Sequence, residues 1–158
     1  MKGVIEIIEY RDEHKPIFRE LNLEWLNQYN LAESHDLKIL DDPKGTILDN
    51  GGVIYLALYD ETIVGSVALM KEHKGVYELV KMGVKKEYRG KGISRLLIDK
   101  CLAKARELNA KKIILFSNHK LQTAIGIYEK YGFRHVEVKD SPFETADIKM
   151  ELELESIS

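Results

Sequence analysis

The chain of 158 residues holds one cysteine, Cys101, and only three prolines, Pro16, Pro43 and Pro142. A single cysteine excludes an internal disulfide, so a reducing cytoplasm is the expected location. Cys101 falls among Leu97, Leu102 and Ala105 on a helical spacing, which reads as a small buried hydrophobe rather than a nucleophile. No apolar run approaches the length that crosses a membrane, and Met1 to Glu6 lack the apolar core of a signal peptide. The histidines, His14, His35, His73, His119 and His135, are scattered without a zinc-type spacing, so no metal is expected. No G-x-S-x-G run is present to suggest a serine nucleophile. Neither repeats nor Pro-, Gly- or Ser-rich linkers interrupt the chain, and one domain over residues 1–158 is expected.

What is present is an uneven charge distribution. The net charge is −2, which argues against a general nucleic-acid binder. Residues 1–50 carry 11 acidic and 6 basic side chains, whereas residues 81–120 carry 12 basic and 3 acidic ones. A basic middle suits a phosphate-bearing ligand, and an acidic first third suits a cationic one.

Periodicity predicts the order β-α-α-β-β-β-α-β-α-β-β. Val4–Ile8 reads as a strand, and 16–29 as a helix with Pro16 in its first turn and Phe18, Leu21, Trp25 and Tyr29 on one stripe. A short helix follows over 36–40, with Ser34 as its cap. Strands at 53–58 and 62–69 form a hairpin through Tyr59-Asp60-Glu61. A third strand runs from Val76 to Val84. A helix then extends to Leu108, followed by a strand at 112–117, a helix at 123–131 ending at Gly132, and strands at 133–138 and 148–154. This order implies a mixed sheet covered by helices.

The segment Lys85-Lys86-Glu87-Tyr88-Arg89-Gly90-Lys91-Gly92-Ile93-Ser94-Arg95 joins a strand to a helix and carries five basic residues. Backbone N–H groups at a helix start are unpaired, and the helix dipole favours an anion there. The segment therefore reads as a diphosphate cradle. It is not a dinucleotide fingerprint, because Arg95 stands where the third glycine belongs, and it is not a Walker loop, because Gly92 follows Gly90-Lys91.

Two runs carry a family resemblance. Arg89 to Ser94 resembles the R-x-x-G-x-G/A signature of the GNAT family of N-acetyltransferases, with the still-small Ser94 in place of the final Gly or Ala. Asn118 to Phe133 resembles the second signature, an Asn at a strand end followed by A-I-x-x-Y-x-K-x-G-F. The resemblance implies a mostly antiparallel sheet with a splayed parallel strand pair, flanked by helices. It implies that acetyl-CoA is the acetyl donor, held by Met82, Gly83 and Val84 at a strand bulge, by Arg89, Gly90, Lys91, Gly92, Ile93, Ser94 and Arg95 at the cradle, and by Asn118, which either contacts the pantetheine or anchors the splay. It places Tyr128 as the acid that protonates the departing thiolate. A homodimer is also common in the family.

Glu78 is the candidate base or amine ligand. It alternates with Val76, Val80 and Met82, and desolvation on such an apolar face would raise its pKa. Trp25, Tyr29, Glu33, His35 and Asp36 are candidates to line an acceptor pocket between the first helices and the splayed strands. The expected activity is transfer of an acetyl group to an amine, on a small molecule or a protein, by direct attack in a ternary complex. A non-catalytic acyl-CoA-binding sensor is the competing reading. Neither nucleic acid nor membrane is an expected partner.

Overall fold

The strands β2 (Val53–Tyr59), β3 (Thr62–His73) and β4 (Val76–Val84) are largely apolar and bury both faces along most of their length, and each face meets a layer of helices in the computed structural model. The structure describes residues 4–154. Runs of Val, Ile and Leu favour the pleated backbone, and burial of both faces removes the usual polar alternation. Ile54, Leu56, Ala68 and Val80 pack under Phe18, Leu26, Ile39 and Leu40. The latter belong to α1 (Lys15–Gln28) and α2 (Ser34–Asp41). Tyr55, Ala57, Val67 and Leu79 pack on the opposite side against Leu97, Ile98, Cys101 and Ala105 of α3 (Ile93–Glu107).

β1 (Ile5–Glu9), β5 (Lys112–Ser117), β6 (Arg134–Val136) and β7 (Ile148–Glu153) complete a seven-stranded sheet in the order β1-β2-β3-β4-β5-β7-β6. Every neighbouring pair is antiparallel except β4 with β5. That parallel pair is short: Val76, Tyr77 and Glu78 pair with Lys112, Ile113 and Ile114, and pairing stops there. The mixed, mostly antiparallel sheet with one splayed parallel pair is the architecture expected from the sequence. α4 (Gln122–Lys130) covers the β5 side and ends at Gly132, where the Phe133 N–H donates to the Tyr128 carbonyl (3.1 Å).

Three local expectations need correction. Ser34 does not cap α2; it is the first helical residue, and the Glu33 N–H donates to Asp36 Oδ2 (2.9 Å) in a capping-box arrangement. The sixth strand spans only Arg134–Val136, because the chain beyond it leaves the ladder. The strand bulge lies at Lys81-Met82 rather than at Gly83. Val80 faces Ala68 and Gly83 faces Ser66, so two residues of β4 stand opposite the single Val67.

The bulge changes which way β4 presents its side chains. Glu78 and Val80 face the α1/α2 layer, as simple alternation requires. Lys81 joins them, because it reaches Asp36 of α2. Met82 is thereby turned to the α4 face, against Tyr128, instead of sharing the Glu78 face. A one-residue insertion reverses every later side chain. Lys81 adopts a left-handed backbone (φ 53°), rare and strained for a residue with a long side chain. A polar chain holds this conformation in place. Ser66 Oγ donates to the Lys81 carbonyl (2.7 Å), Asn22 Nδ2 donates to Ser66 Oγ (3.0 Å), and Trp25 Nε1 donates to Asn22 Oδ1 (2.9 Å). Gly83 is glycine because the Trp25 indole lies against its Cα, where any Cβ would collide.

Candidate active site

Beyond the last β4–β5 pair the two strands separate, and a cleft of about 780 Å³ opens between them. One end is formed by the turn from β4 to α3. Gly90 (φ 79°) and Gly92 (φ 80°) take left-handed conformations with open space around both, so conformation rather than crowding demands glycine. Gly92 caps α3 without a side chain, and the first N–H paired back into the helix is that of Leu96, which donates to the Gly92 carbonyl (3.3 Å). The N–H groups of Ile93, Ser94 and Arg95 thus remain for an external acceptor. Lys91 and Arg95 stand exposed beside them. Arg89 has a bracing part: its Nε donates to the Val84 carbonyl (3.0 Å) and its Nη2 to Gln28 Oε1 (3.4 Å).

Tyr128 stands at the middle of the cleft, on α4. Its hydroxyl donates to Met82 Sδ at 3.8 Å, a weak acceptor that leaves the proton available. Burial pushes its pKa well above the ordinary phenol value, so it carries its proton at any physiological pH. Asn118, at the end of β5, commits its side chain to the fold. Its Nδ2 donates to the Thr145 carbonyl (2.7 Å), and its Oδ1 accepts from the Lys120 N–H (3.0 Å). It therefore fixes the mouth of the splay. Cys101 lies in the α3 core, and burial raises its pKa.

The other end of the cleft is lined by Trp25 of α1, Tyr29 at the cap that ends it, Asp36 of α2, Glu78 and Lys81 of β4, and Phe143 from the β6–β7 connection. Trp25 and Tyr29 are half-buried and border the cleft, while Asn22 takes a core position on the α1 stripe. Glu33 and His35 stand in the roof rather than in the lining. The Glu33 carboxylate accepts from the N–H groups of Glu144 (2.8 Å) and Thr145 (2.9 Å) and from the Thr145 hydroxyl. The His35 ring meets Phe143 edge-on at 4.8 Å. Lys120 Nζ reaches across to the Tyr29 carbonyl (3.2 Å), joining the α4 approach to the end of α1.

Glu78 is 3% exposed. Burial first, then the neighbouring Glu72 carboxyl, pushes its pKa up to about 9, with Lys81 and Lys149 opposing. Lys81 and Asp36 form a buried ion pair through Nζ and Oδ1. Burial draws the Lys81 pKa down, and Asp36 opposes that. Lys81 is not among the site residues expected from the sequence. Its signal is a second charge, after Glu78, inside the apolar run Val76–Val84, where a strand buried on both faces has no place for one.

Comparison with known proteins agrees with this geometry. Residues 12–133 match the family described as Acetyltransferase (GNAT) family. An uncharacterised N-acetyltransferase of Bacillus subtilis, YvbK, is 30% identical over 105 residues, covering 65% of this chain and 68% of that protein. Human N-acetylaspartate synthetase is 34% identical over 91 residues, covering 57% of this chain but only 30% of its own length. A GNAT-family acetyltransferase structure from Staphylococcus aureus superposes with a TM-score of 0.89 at 28% identity, covering 96% of this chain and all of that one (100%). The PaiA N-acetyltransferase of Thermoplasma acidophilum, solved with coenzyme A, shares the fold with a TM-score of 0.75 at 18% identity, covering 96% and 99% of the two chains.

Proposed function

Since the chain belongs to the acetyltransferase (GNAT) family, we propose that it moves an acetyl group from acetyl-CoA to a primary amine by direct attack, with donor and acceptor held together in one cleft. Residues 1–158 act in this reading as one catalytic domain. The observation that carries it is the arrangement along the cleft: unpaired helix-start amides at one end, the Tyr128 hydroxyl in the middle, and the buried Glu78 beyond it. Coenzyme A carries a diphosphate, a long amide arm and a terminal sulfur. The amides of Ile93, Ser94 and Arg95, the gap between β4 and β5, and Tyr128 fit those three parts in that order.

Acetyl-CoA supplies the activated acyl group when bound. The chain supplies positioning and proton movement. The main-chain amides hold the phosphates by dipole and hydrogen bond, with Lys91 and Arg95 adding charge. An ammonium has no lone pair, so the acceptor must first lose a proton. Glu78, with its pKa raised to about 9, takes that proton in its ionised form, whose share grows as the pH rises toward 9. The free amine then bonds to the acyl carbon as the carbon–sulfur bond breaks. Tyr128 gives its proton to the departing sulfur, and the second proton that the nitrogen sheds as the amide forms restores the phenol. Its raised pKa makes it a donor that does not ionise beforehand, and the nascent thiolate, unlike Met82 Sδ, is a strong acceptor.

The test follows free thiol released from acetyl-CoA across a panel of amines, alongside calorimetry with coenzyme A. Association with the coenzyme and thiol release with at least one amine are expected. Firm coenzyme binding with no release on any amine would overturn the enzyme reading in favour of a non-catalytic acyl-CoA sensor.

A further inference from the structure

Lys81 combines several unfavourable features in one residue. It is 6% exposed, sits in a left-handed backbone conformation, and lines the acceptor end of the cleft. A buried ion pair such as Lys81–Asp36 typically contributes little to stability, because desolvating both charges offsets their attraction. Strain and buried charge together mark a place where function overrides stability. The ammonium has three N–H donors. Among the described residues only Asp36 accepts one, and the Phe143 ring covers it at 5.2 Å without accepting a conventional hydrogen bond. Donors are therefore left over on a nine-tenths buried cation that borders the cavity.

Resting on the acetyl-transfer reading above, we propose that Lys81 receives a carboxylate of the acceptor, so that the substrate class is a small amino acid bearing its amine and its acid within a few bonds of each other. The charge balance favours such a molecule. Asp36 and Lys81 cancel, and Glu78 holds its proton at neutral pH, so the cluster is neutral overall. A zwitterion adds no net charge to it, whereas a polyamine or aminoglycoside would bring several uncompensated cations against buried groups. Spacing agrees. Glu78 and Lys81 are three residues apart on β4, at most about 10 Å between Cα atoms, and both side chains lean to the α1/α2 face. An amine directed to Glu78 and an acid directed to Lys81 then belong to one short molecule. The walls formed by Trp25, Leu31 and Phe143 accommodate an apolar body between or beside the two groups.

The experiment compares the twenty standard amino acids with their amides, in two arms. The first arm measures kcat/KM by thiol release. The second titrates the corresponding N-acetyl amino acids and N-acetyl amino amides into coenzyme A-loaded protein, read by the fluorescence of Trp25, the single tryptophan and a lining residue. A charge-assisted hydrogen bond predicts that at least one acid exceeds its own amide by about ten- to a hundredfold. That ratio should fall to near one in Lys81→Gln and stay well above one in Lys81→Arg, which keeps the cation. Coenzyme affinity checks that each variant is folded. If Lys81→Gln fails to fold, the wild-type ratio and Lys81→Arg still decide. Amides equal to or better than acids throughout, no acid bound in the second arm, or a ratio unchanged in Lys81→Gln would overturn the proposal. Failure of the acetyl-transfer reading shows differently, as coenzyme binding without thiol release on any amine, while the fluorescence arm still reports on Lys81.

Discussion

The two ends of the cleft are built from different materials. The end proposed to hold the donor is main chain: a helix start without a side-chain cap, and two left-handed glycines with open space around them. The end proposed for the acceptor is side chain: Trp25, Asp36, Glu78 and Lys81, drawn from three elements, with Lys81 and Asp36 in a buried ion pair. Backbone amides recognise any phosphate, so the donor end suits a constant ligand. Buried side chains can discriminate among acceptors, at the cost of desolvation and strain. One short stretch of β4 nevertheless serves both ends. The bulge sends Met82 toward Tyr128 and Lys81 toward Asp36.

The sharpest way to separate chemistry from binding is Tyr128→Phe. Turnover should fall by about a hundredfold or more, the usual worth of a positioned proton donor, while coenzyme affinity measured by calorimetry stays unchanged. Full activity would remove Tyr128 from its role.

Gly83→Ala tests the acceptor scaffold. The added methyl meets the Trp25 indole, which is tied through Asn22 and Ser66 to the bulge. Overpacking there should cost about 1–3 kcal/mol, read as a lowered melting temperature and a shifted denaturant midpoint. Gly92→Ala tests the donor end instead. Nothing crowds the position, so the penalty is conformational alone, about 1–2 kcal/mol. Coenzyme affinity should weaken by roughly tenfold, with a smaller effect on acceptor selectivity. Equal damage to both ends by either variant would dissolve the distinction between them.

The mildest expectation concerns pH. In the folded chain Glu78 holds its proton up to about 9, whereas an unfolded glutamate releases it in the ordinary carboxylate range. Between those limits the unfolded state binds fewer protons. The Glu78 contribution therefore makes stability decline as pH rises toward 9. Glu78→Gln should flatten that decline in melting curves recorded across pH. It should also remove the limb of the kcat/KM profile that rises toward pH 9. Profiles identical to wild type would show that Glu78 takes no part.

The donor end is legible in the sequence because it is local. Gly90, Gly92 and the basic residues around them follow a strand and precede a helix within about ten positions, and helix-start physics does the rest. The run that carries Tyr128 is legible through its signature, and the element order through periodicity. The acceptor end is only partly so. Trp25, Tyr29 and Asp36 are expected from the sequence and do line the cleft, but Glu33 proves to be a clasp for the 144–145 backbone. Asn22 and Lys81 escape sequence reasoning, since a polar side chain in an apolar pattern does not announce its partner.

The amino-acid order by itself determined the succession of strands and helices and the glycine turn, since each depends on neighbours in the chain. Only the tertiary structure decided which face of β4 each side chain occupies. Alternation assumes an unbroken pleat, and the break at Lys81-Met82 is set by register against β3 and by the Asn22–Ser66 support beneath it. Those contacts span 44 and 15 residues of chain, beyond the reach of any local pattern.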